Sequence, residues 1–313
     1  MLIAISTNPT IDRTIFIPTL SPHQVHRSKY LELSAGGKGI NVARAAKILG
    51  INSRIVGFTG GFAGGLLKKL VAQEELSASW LDFPELETKM SYLLSHSEGD
   101  STVINEPGPC MDREHWQSFA DFVLQNSSQA RMAILAGGVP PGVCPDSYAA
   151  LCLALAAKLP GVLVDTHGEF LKAVLLNPQN LMIKVNVDEL AEASGCSING
   201  FEEIERISRT LLDRGAKMIC TTMGSKGSLA ITKDEKIFSQ CHCDNFINSV
   251  GSGDSFSAGL SLCIMRNLPL QESLRWATAC GAANTLTKLP ANFKLQDVEK
   301  LLKTVKSNKL SIH

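Results

Sequence analysis

Short apolar runs alternate along this chain with amphipathic stretches of helical length, and that alternation limits the fold more than any other feature. Leu2–Ser6, Arg54–Phe58, Met132–Ala136, Val162–Asp165, Leu181–Val185 and Lys217–Thr222 read as strands buried on both faces. Between them Ile40–Leu49, Gly64–Gln73, Pro145–Leu159, Glu169–Leu176 and Phe201–Arg214 read as helices. Antiparallel neighbours can be joined by a tight turn, but a helix between two strands makes them parallel, and a parallel sheet must be covered on both faces. The fold class is therefore α/β, a three-layer α/β/α sandwich with a mostly parallel central sheet. Toward the C-terminus, Ser228–Thr232 and Lys236–Gln240 read as two more strands, followed by helices over Asp254–Arg266, Leu270–Leu286 and Leu295–Lys306. No long linker, low-complexity tract or internal repeat interrupts the 313 residues, a length that allows one large α/β domain or two ordinary ones.

Two stretches break the pattern. Arg13–Pro18 with Ser28–Leu33 reads as a pair of short strands, and Met90–Ser95 with Thr102–Asn105 as another, joined around Glu98-Gly99-Asp100. They form either two independent surface hairpins or one small sheet contributed by about 12–34 and about 88–106. A small sheet beside a ligand cleft would act as a lid.

Composition narrows the function. Thirty Lys and Arg balance thirty Asp and Glu. A neutral chain has no overall field to gather nucleic acid, which argues against a DNA or RNA partner. An apolar share of 44% excludes a disordered chain. No basic segment precedes an apolar stretch at the N-terminus, and the apolar run near Tyr148–Ala157 is about half a membrane span. The nine cysteines are scattered and odd in number. Reduced thiols in a cytoplasmic protein, with no membrane association, are the expectation. Cys241-His242-Cys243 could suggest a metal, but no second ligand pair stands at recognisable spacing.

Four constellations can carry chemistry. In Asn248-Ser249-Val250-Gly251-Ser252-Gly253-Asp254 a glycine turn runs straight into a helix. Glycines let backbone amides point inward, and the helix N-terminus adds unpaired N–H groups and partial positive charge, so the turn suits phosphate. Asp254 there either complements the helix dipole or takes a proton from an attacking hydroxyl. Gly36-Gly37-Lys38-Gly39-Ile40-Asn41 opens another helix through a donor-rich loop. It fails as a Walker A loop, because Gly39 follows Lys38, and as a dinucleotide fingerprint, because Val42 stands where a third glycine belongs. Asp12, just after the first strand, is either a turn residue or a carboxylate that holds two sugar hydroxyls. Asn186 and Glu189, at a strand-to-helix junction, are either a cap pair or organisers of water around Mg²⁺. Thr222-Met223-Gly224-Ser225-Lys226-Gly227 is a turn or a nucleotide platform.

The order of these motifs resembles the PfkB family of ribokinase-like carbohydrate kinases over nearly the whole chain. Ala136–Gly142, Val164–Glu169 and Gly57–Gly60 with Gly64 are similar to further segments of that family. The Gly-Gly-Lys-Gly-Ile-Asn loop and Glu106-Pro107-Gly108-Pro109 are closest to the branch containing 1-phosphofructokinase and tagatose-6-phosphate kinase. The resemblance implies a single ribokinase-like domain over 1–313 with a β-sheet lid, ATP and Mg²⁺ as cofactors, and phosphoryl transfer to a sugar hydroxyl. Carried over by position, Asp254 is the catalytic base and the amides of Gly251, Ser252 and Gly253 form the anion hole. Asp12, Gly37 and Asn41 hold the sugar. Asn186 and Glu189 order the phosphates and Mg²⁺, Glu189 through water. Thr222, Gly224 and Gly227 line the nucleotide side, and Asn284 is expected at the adenine pocket.

The chain also departs from the family pattern. Thr88-Lys89-Met90-Ser91 stands for Thr-Arg-x-Asn, Val103 lies where a second basic residue is common, and Lys184-Val185-Asn186 stands for Lys-Pro-Asn. Arg grips a phosphate bidentately and Lys does not. Lys38, Lys89 and Arg27 are left as candidates for the acceptor's own phosphate. The expected reaction gives a ketohexose bisphosphate from fructose 1-phosphate or tagatose 6-phosphate. The alternatives are a kinase for an unphosphorylated sugar or nucleoside, a non-catalytic nucleotide sensor and an NAD-dependent oxidoreductase. An exposed lid edge would also allow a homodimer.

Overall fold

The computed structural model describes residues 1–28, 30–96 and 101–311. The Glu98-Gly99-Asp100 turn lies outside the described residues. In chain order the elements are β1 (Leu2–Ser6), β2 (Thr10–Phe16), β3 (Tyr30–Gly36), α1 (Lys38–Ile48), β4 (Ser53–Thr59), α2 (Gly61–Gln73) and β5 (Ala78–Asp82). Next come β6 (Lys89–Ser95), β7 (Ser101–Asn105), α3 (Arg113–Asn126), β8 (Met132–Ala136), α4 (Pro145–Ala156), β9 (Gly161–Asp165) and α5 (Gly168–Leu176). Then follow β10 (Met182–Asn186), α6 (Val187–Ser194), α7 (Phe201–Asp213), β11 (Met218–Thr222), β12 (Ser228–Ile231) and β13 (Lys236–Gln240). The chain closes with α8 (Ser252–Met265), α9 (Leu270–Asn284), α10 (Leu295–Leu302) and β14 (Lys306–Lys309).

The large sheet runs β14-β13-β12-β11-β10-β9-β8-β1-β4-β5. It is parallel from β5 to β11 and antiparallel from there to β14. Every residue of β1 is buried, as a central parallel strand requires. Its alternate side chains divide between two apolar layers. Leu2 and Ala4 join a core built with α1, α2, α8, α9 and α10, whereas Ile3 and Ile5 join one built with α3 to α7. Helices thus cover both faces, and the sandwich expected from the alternation is present.

The four short strands form one sheet, in the order β3-β2-β6-β7. The alternative of two separate hairpins is thereby settled: β2 pairs in parallel with β6, Asp12 opposite Ser91. Phe16 and Tyr30 stack at the far end of this small sheet, centroids 4.0 Å apart.

Other elements differ from the sequence expectation. The helix expected to run to Lys306 stops at Leu302, and Lys306–Lys309 pairs antiparallel with β13 instead, because β13 presents an edge that only a distant segment can cover. The α4 helix ends at Ala156, short of Pro160. β5, α3 and α6 lie outside the expectation; α3 is announced by Asp112, whose carboxylate accepts from the N–H groups of Glu114 and His115.

Candidate active site

Ligands in open parallel sheets bind beyond the carboxyl ends of the strands, and the expected motifs gather there. Asp165, Asn186 and Thr222 are the last residues of β9, β10 and β11. From the other core layer α1 and α8 direct their N-termini to the same place, and they pack against each other.

The α8 turn forms because Gly251, its N-cap, takes φ 83°, a left-handed conformation that a side chain resists. A β-carbon there would also come within 2.9 Å of Pro290. The N–H groups of the first helical turn have no intrahelical acceptor. Ser252 closes its own N–H onto Ser249 O at 3.1 Å, so Gly253 and Asp254 are better placed to receive an anion than Ser252. Asn284, expected at the adenine pocket, is 1% exposed and braces this turn. Its Nδ2 donates to Val250 O (2.8 Å) and Ser252 Oγ (3.0 Å), and its Oδ1 accepts from Ala291 N (2.6 Å). Its position late in α9 turns it inward against the turn, which corrects that expectation.

Asp254 lies in the first turn of α8 and is 4% exposed. Asn41 Nδ2 donates to its Oδ2 at 2.8 Å. Burial pushes this carboxyl up to about 6, partly opposed by the charge of Lys38, reinforced by Asp165, and opposed again by the Asn41 hydrogen bond and Lys184. A buried carboxylate in this range is poised to accept a proton near neutral pH.

Asp165 beside it was not among the expected site residues. It is fully buried and accepts from Lys184 Nζ at 2.8 Å and Lys38 Nζ at 2.9 Å, with Ser257 Oγ at 3.5 Å. Burial alone would raise it, but the two ammonium groups outweigh that and hold it well below the usual carboxylate range. The ammonium of Lys38 is correspondingly stabilised: burial works against it, and Asp165, Asp254 and Glu189 together overcome that. Lys38, a candidate for the acceptor phosphate, pairs with Asp165, and a third of its side chain remains exposed (33%). Lys184 stands under the α8 turn, where a β-carbon on Gly253 would meet its Nζ at 2.7 Å. The sequence signal for this cluster was a Lys and an Asp inside otherwise apolar strands, Met182–Asn186 and Gly161–Asp165.

The small sheet brings Asp12 to the same cleft. A β-carbon on Gly36 would fall 2.2 Å from the Asp12 carboxyl carbon, so the glycine is needed for the two strands to close here. Burial pushes Asp12 up to about 6, opposed by Arg44 and Lys89 and reinforced by Asp254 and Glu74. Gly37 caps α1 at φ 99°. Lys89 Nζ donates to Glu106 O at 3.2 Å, and burial lowers the affinity of this amine for its proton. Arg27 is exposed in the segment between β2 and β3.

On the other side, Asn186 and Glu189 form a reciprocal capping box on α6: Asn186 Oδ1 accepts from Glu189 N at 2.8 Å, and Glu189 Oε2 accepts from Asn186 N at 2.9 Å. Thr222 Oγ1 donates to Val185 O at 3.4 Å. Gly224 opens a single 3₁₀ turn that Gly227 closes, and a β-carbon on Gly227 would strike Ser239 O of β13 at 2.5 Å. Among the described residues, no group of three or more His, Cys, Asp or Glu side chains could enclose a metal, Cys241-His242-Cys243 included.

The profile described as pfkB family carbohydrate kinase matches residues 6–296. The 1-phosphofructokinase of Bacillus subtilis (strain 168) is 30% identical over 311 residues, 99% of this chain and 100% of the relative. A tagatose-6-phosphate kinase of Staphylococcus epidermidis is 26% identical, covering 97% of this chain and 98% of the relative. Among solved structures, phosphofructokinase-2 from Escherichia coli in complex with fructose-6-phosphate superposes with a TM-score of 0.88 at 23% identity, over 96% of this chain and 98% of that one. At that identity the superposition speaks for the fold alone. The chain belongs to the pfkB family of carbohydrate kinases.

Proposed function

We propose that this protein transfers the γ-phosphoryl group of ATP to a hydroxyl of a phosphorylated ketohexose, fructose 1-phosphate or tagatose 6-phosphate, giving a ketohexose bisphosphate and ADP. The observation that carries the reading is Asp254, a buried carboxyl pushed up to about 6 in the first turn of a helix whose free amides face the same cleft. Base and anion cradle are then neighbours along one helical turn, as in-line transfer requires. The names of the two relatives above favour the phosphoketohexose.

In this reading Asp12 and Asn41 orient the sugar, and Asn41 links it to the base by the 2.8 Å bond to Asp254. Asp254 accepts the hydroxyl proton as that oxygen bonds to phosphorus. The bond from phosphorus to the bridging oxygen breaks, and its electron pair leaves on ADP. The amides of Gly251, Gly253 and Asp254 stabilise the charge that develops on the transferring group, with the ammonium of Lys184 beneath them. Thr222, Gly224 and Gly227 line the nucleotide side. The small sheet closes over the sugar and excludes water.

Mg²⁺ fits this cleft only as an ion held chiefly by nucleotide phosphates and water. Both Asp165 oxygens face lysines, whereas Glu189 uses only Oε2 for its cap. Glu189 Oε1 would hold it through water, with Asn186 fixing the Glu189 carboxylate. Such an ion neutralises phosphate charge and lowers the barrier to nucleophilic approach.

A second reading, an unphosphorylated sugar as acceptor, is favoured by one observation: Lys38 and Lys89, candidates for the acceptor phosphate, already contact Asp165 and Glu106 O. A coupled ADP-release assay over fructose 1-phosphate, fructose 6-phosphate, tagatose 6-phosphate, free hexoses and nucleosides separates the two. Turnover confined to the phosphoketohexoses is expected. Preference for a free hexose or nucleoside would replace the first reading with the second, and no turnover on the panel would leave a nucleotide sensor.

The outer part of the small sheet exposes Tyr30, Leu31, Val103 and Ile104, which supports a homodimer through this sheet. Light scattering on the purified chain tests it. Among the described residues no helix is long and apolar enough to cross a membrane.

A further inference from the structure

One side chain that no motif singles out joins α1 to the end of β3, the end of α2 and the turn beside Gly251. Arg44 follows Asn41 by one helical turn in α1, and 11% of its side chain is exposed. A guanidinium carries five N–H donors, and here each has an acceptor. Nε donates to Glu74 Oε2 (2.6 Å) and Nη2 to Glu74 Oε1 (2.9 Å), a bidentate pair with the end of α2. Nη2 also donates to Ala35 O at the end of β3. Nη1 donates to Pro290 O (3.0 Å), in the turn that packs against Gly251, and to Asn41 Oδ1 (2.8 Å).

The last contact has a chemical consequence. A side-chain amide has two orientations of almost equal shape. Only one places N–H toward Asp254; the other places a carbonyl oxygen against a carboxylate. Arg44 holds Asn41 Oδ1, so Nδ2 faces Asp254 Oδ2 at 2.8 Å and its second N–H remains for a sugar hydroxyl. We infer that Arg44 is a positioning residue for phosphoryl transfer, which fixes the Asn41 amide between the base and the acceptor and ties the small sheet to the anion turn. The inference rests on the kinase reading above. It concerns a residue that touches neither phosphate nor base, and its pairing with Glu74 removes it from the pool of cations free to bind an anion.

A purely structural bracket would affect stability alone, so the test reads chemistry. Asp254 is faced by Lys38 and Asn41 from α1, Lys184 from β10, Asp165 from β9 and, across the cleft, Asp12 from β2. Arg44 is faced by Glu74 and Asp12. The measurement is kcat and KM for fructose 1-phosphate in wild type, Arg44→Met, Asn41→Ala and the double variant, with the acid limb of each pH profile. Arg44→Met is expected to lower kcat about 10- to 100-fold, the scale of a misplaced group, with a smaller change in KM for ATP. Its acid limb moves to higher pH for two reasons, because the Asn41 donor that favours ionised Asp254 is no longer held and because the Arg44 charge that opposes the rise of Asp12 is lost; Arg44→Lys keeps that charge and so isolates the first. The double variant falls no further than Asn41→Ala, since the Arg44 effect passes through Asn41. Arg44→Lys, which keeps the charge and one contact, lies between and serves if the methionine variant does not fold. Wild-type kcat and pH profile in the Arg44 variants, or losses that multiply in the double variant, would overturn the inference while leaving the kinase reading intact. Absence of turnover in wild type on any phosphoketohexose would remove both.

Discussion

Asp165 and Asp254 are both buried carboxylates, both within reach of Lys38 and Lys184, yet they are driven in opposite directions. Asp165 touches the two ammonium groups directly, at 2.9 and 2.8 Å, and stays ionised. Among the described residues the Asp254 carboxylate accepts from one amide, at 2.8 Å, and feels the same lysines from further away, so burial prevails and its carboxyl is pushed up to about 6. Contact decides which group is a fixed counterion and which is free to serve as the base of the proposed reaction. Lys184 is in turn held under the α8 turn and Lys38 at the edge of the same cleft, so one fixed anion organises the positive charge there. This also reconciles a chain of zero formal net charge with anionic substrates: attraction is local, through buried ammonium groups and helix amides.

The comparison breaks most readily at the base. Asp254→Ala is expected to lower kcat by about 10²- to 10⁴-fold, the usual contribution of a general base, with ATP still bound. Turnover by ADP release and ATP binding by calorimetry check it. Next in size is Asp165→Asn. Removing the counterion leaves the buried Lys184 ammonium without its carboxylate and the partly exposed Lys38 without its partner, which costs about 3–5 kcal/mol in denaturant unfolding, chiefly through Lys184. Since the folded-state carboxyl is depressed, this contribution is present above the unfolded value and disappears as the pH falls through the folded one.

Asp254→Asn should do the reverse to stability. A carboxyl raised on folding makes the native state less favourable as pH rises through about 6. The amide, which can still accept from Asn41, should therefore stabilise the fold by about 1–3 kcal/mol above that pH and by nothing well below it. Equal melting temperatures of the two proteins at neutral pH would contradict the contrast between the carboxylates. The smallest expected effect is at Lys38. Lys38→Ala should weaken fructose 1-phosphate by about tenfold more than free fructose in KM, the scale of one lost charge contact. An equal change for both would confine Lys38 to its pairing with Asp165 and the nucleotide side.

Much of this arrangement was legible in the sequence, for physical reasons. The strand-helix alternation follows from burial on both faces, and the Gly251–Asp254 turn carries its chemistry in consecutive residues. Contacts between distant segments were not legible. Lys38 and Asp165 lie 127 positions apart, and Asn41 and Asp254 213 apart, so only the closed fold brings them together. Arg44 lies within the expected Ile40–Leu49 helix and no motif marks it, because its five acceptors come from β3, α1, the end of α2 and the turn at Pro290. Asn284 was misplaced for the same reason: its motif position was visible, but the direction of its amide is set by the turn beneath it. β14 depends on an edge of β13 that no local pattern announces.

The central claim, that burial without an ammonium contact makes Asp254 the base for phosphoryl transfer, is tested most directly by ADP release from ATP and fructose 1-phosphate as a function of pH, in wild type and Asp254→Asn. The account predicts a wild-type rate that falls steeply below about pH 6, where Asp254 and Asp12 both become protonated, and a variant with residual turnover that keeps only the shallower limb of Asp12. Wild-type turnover in Asp254→Asn, or the same acid limb in both proteins, would contradict it.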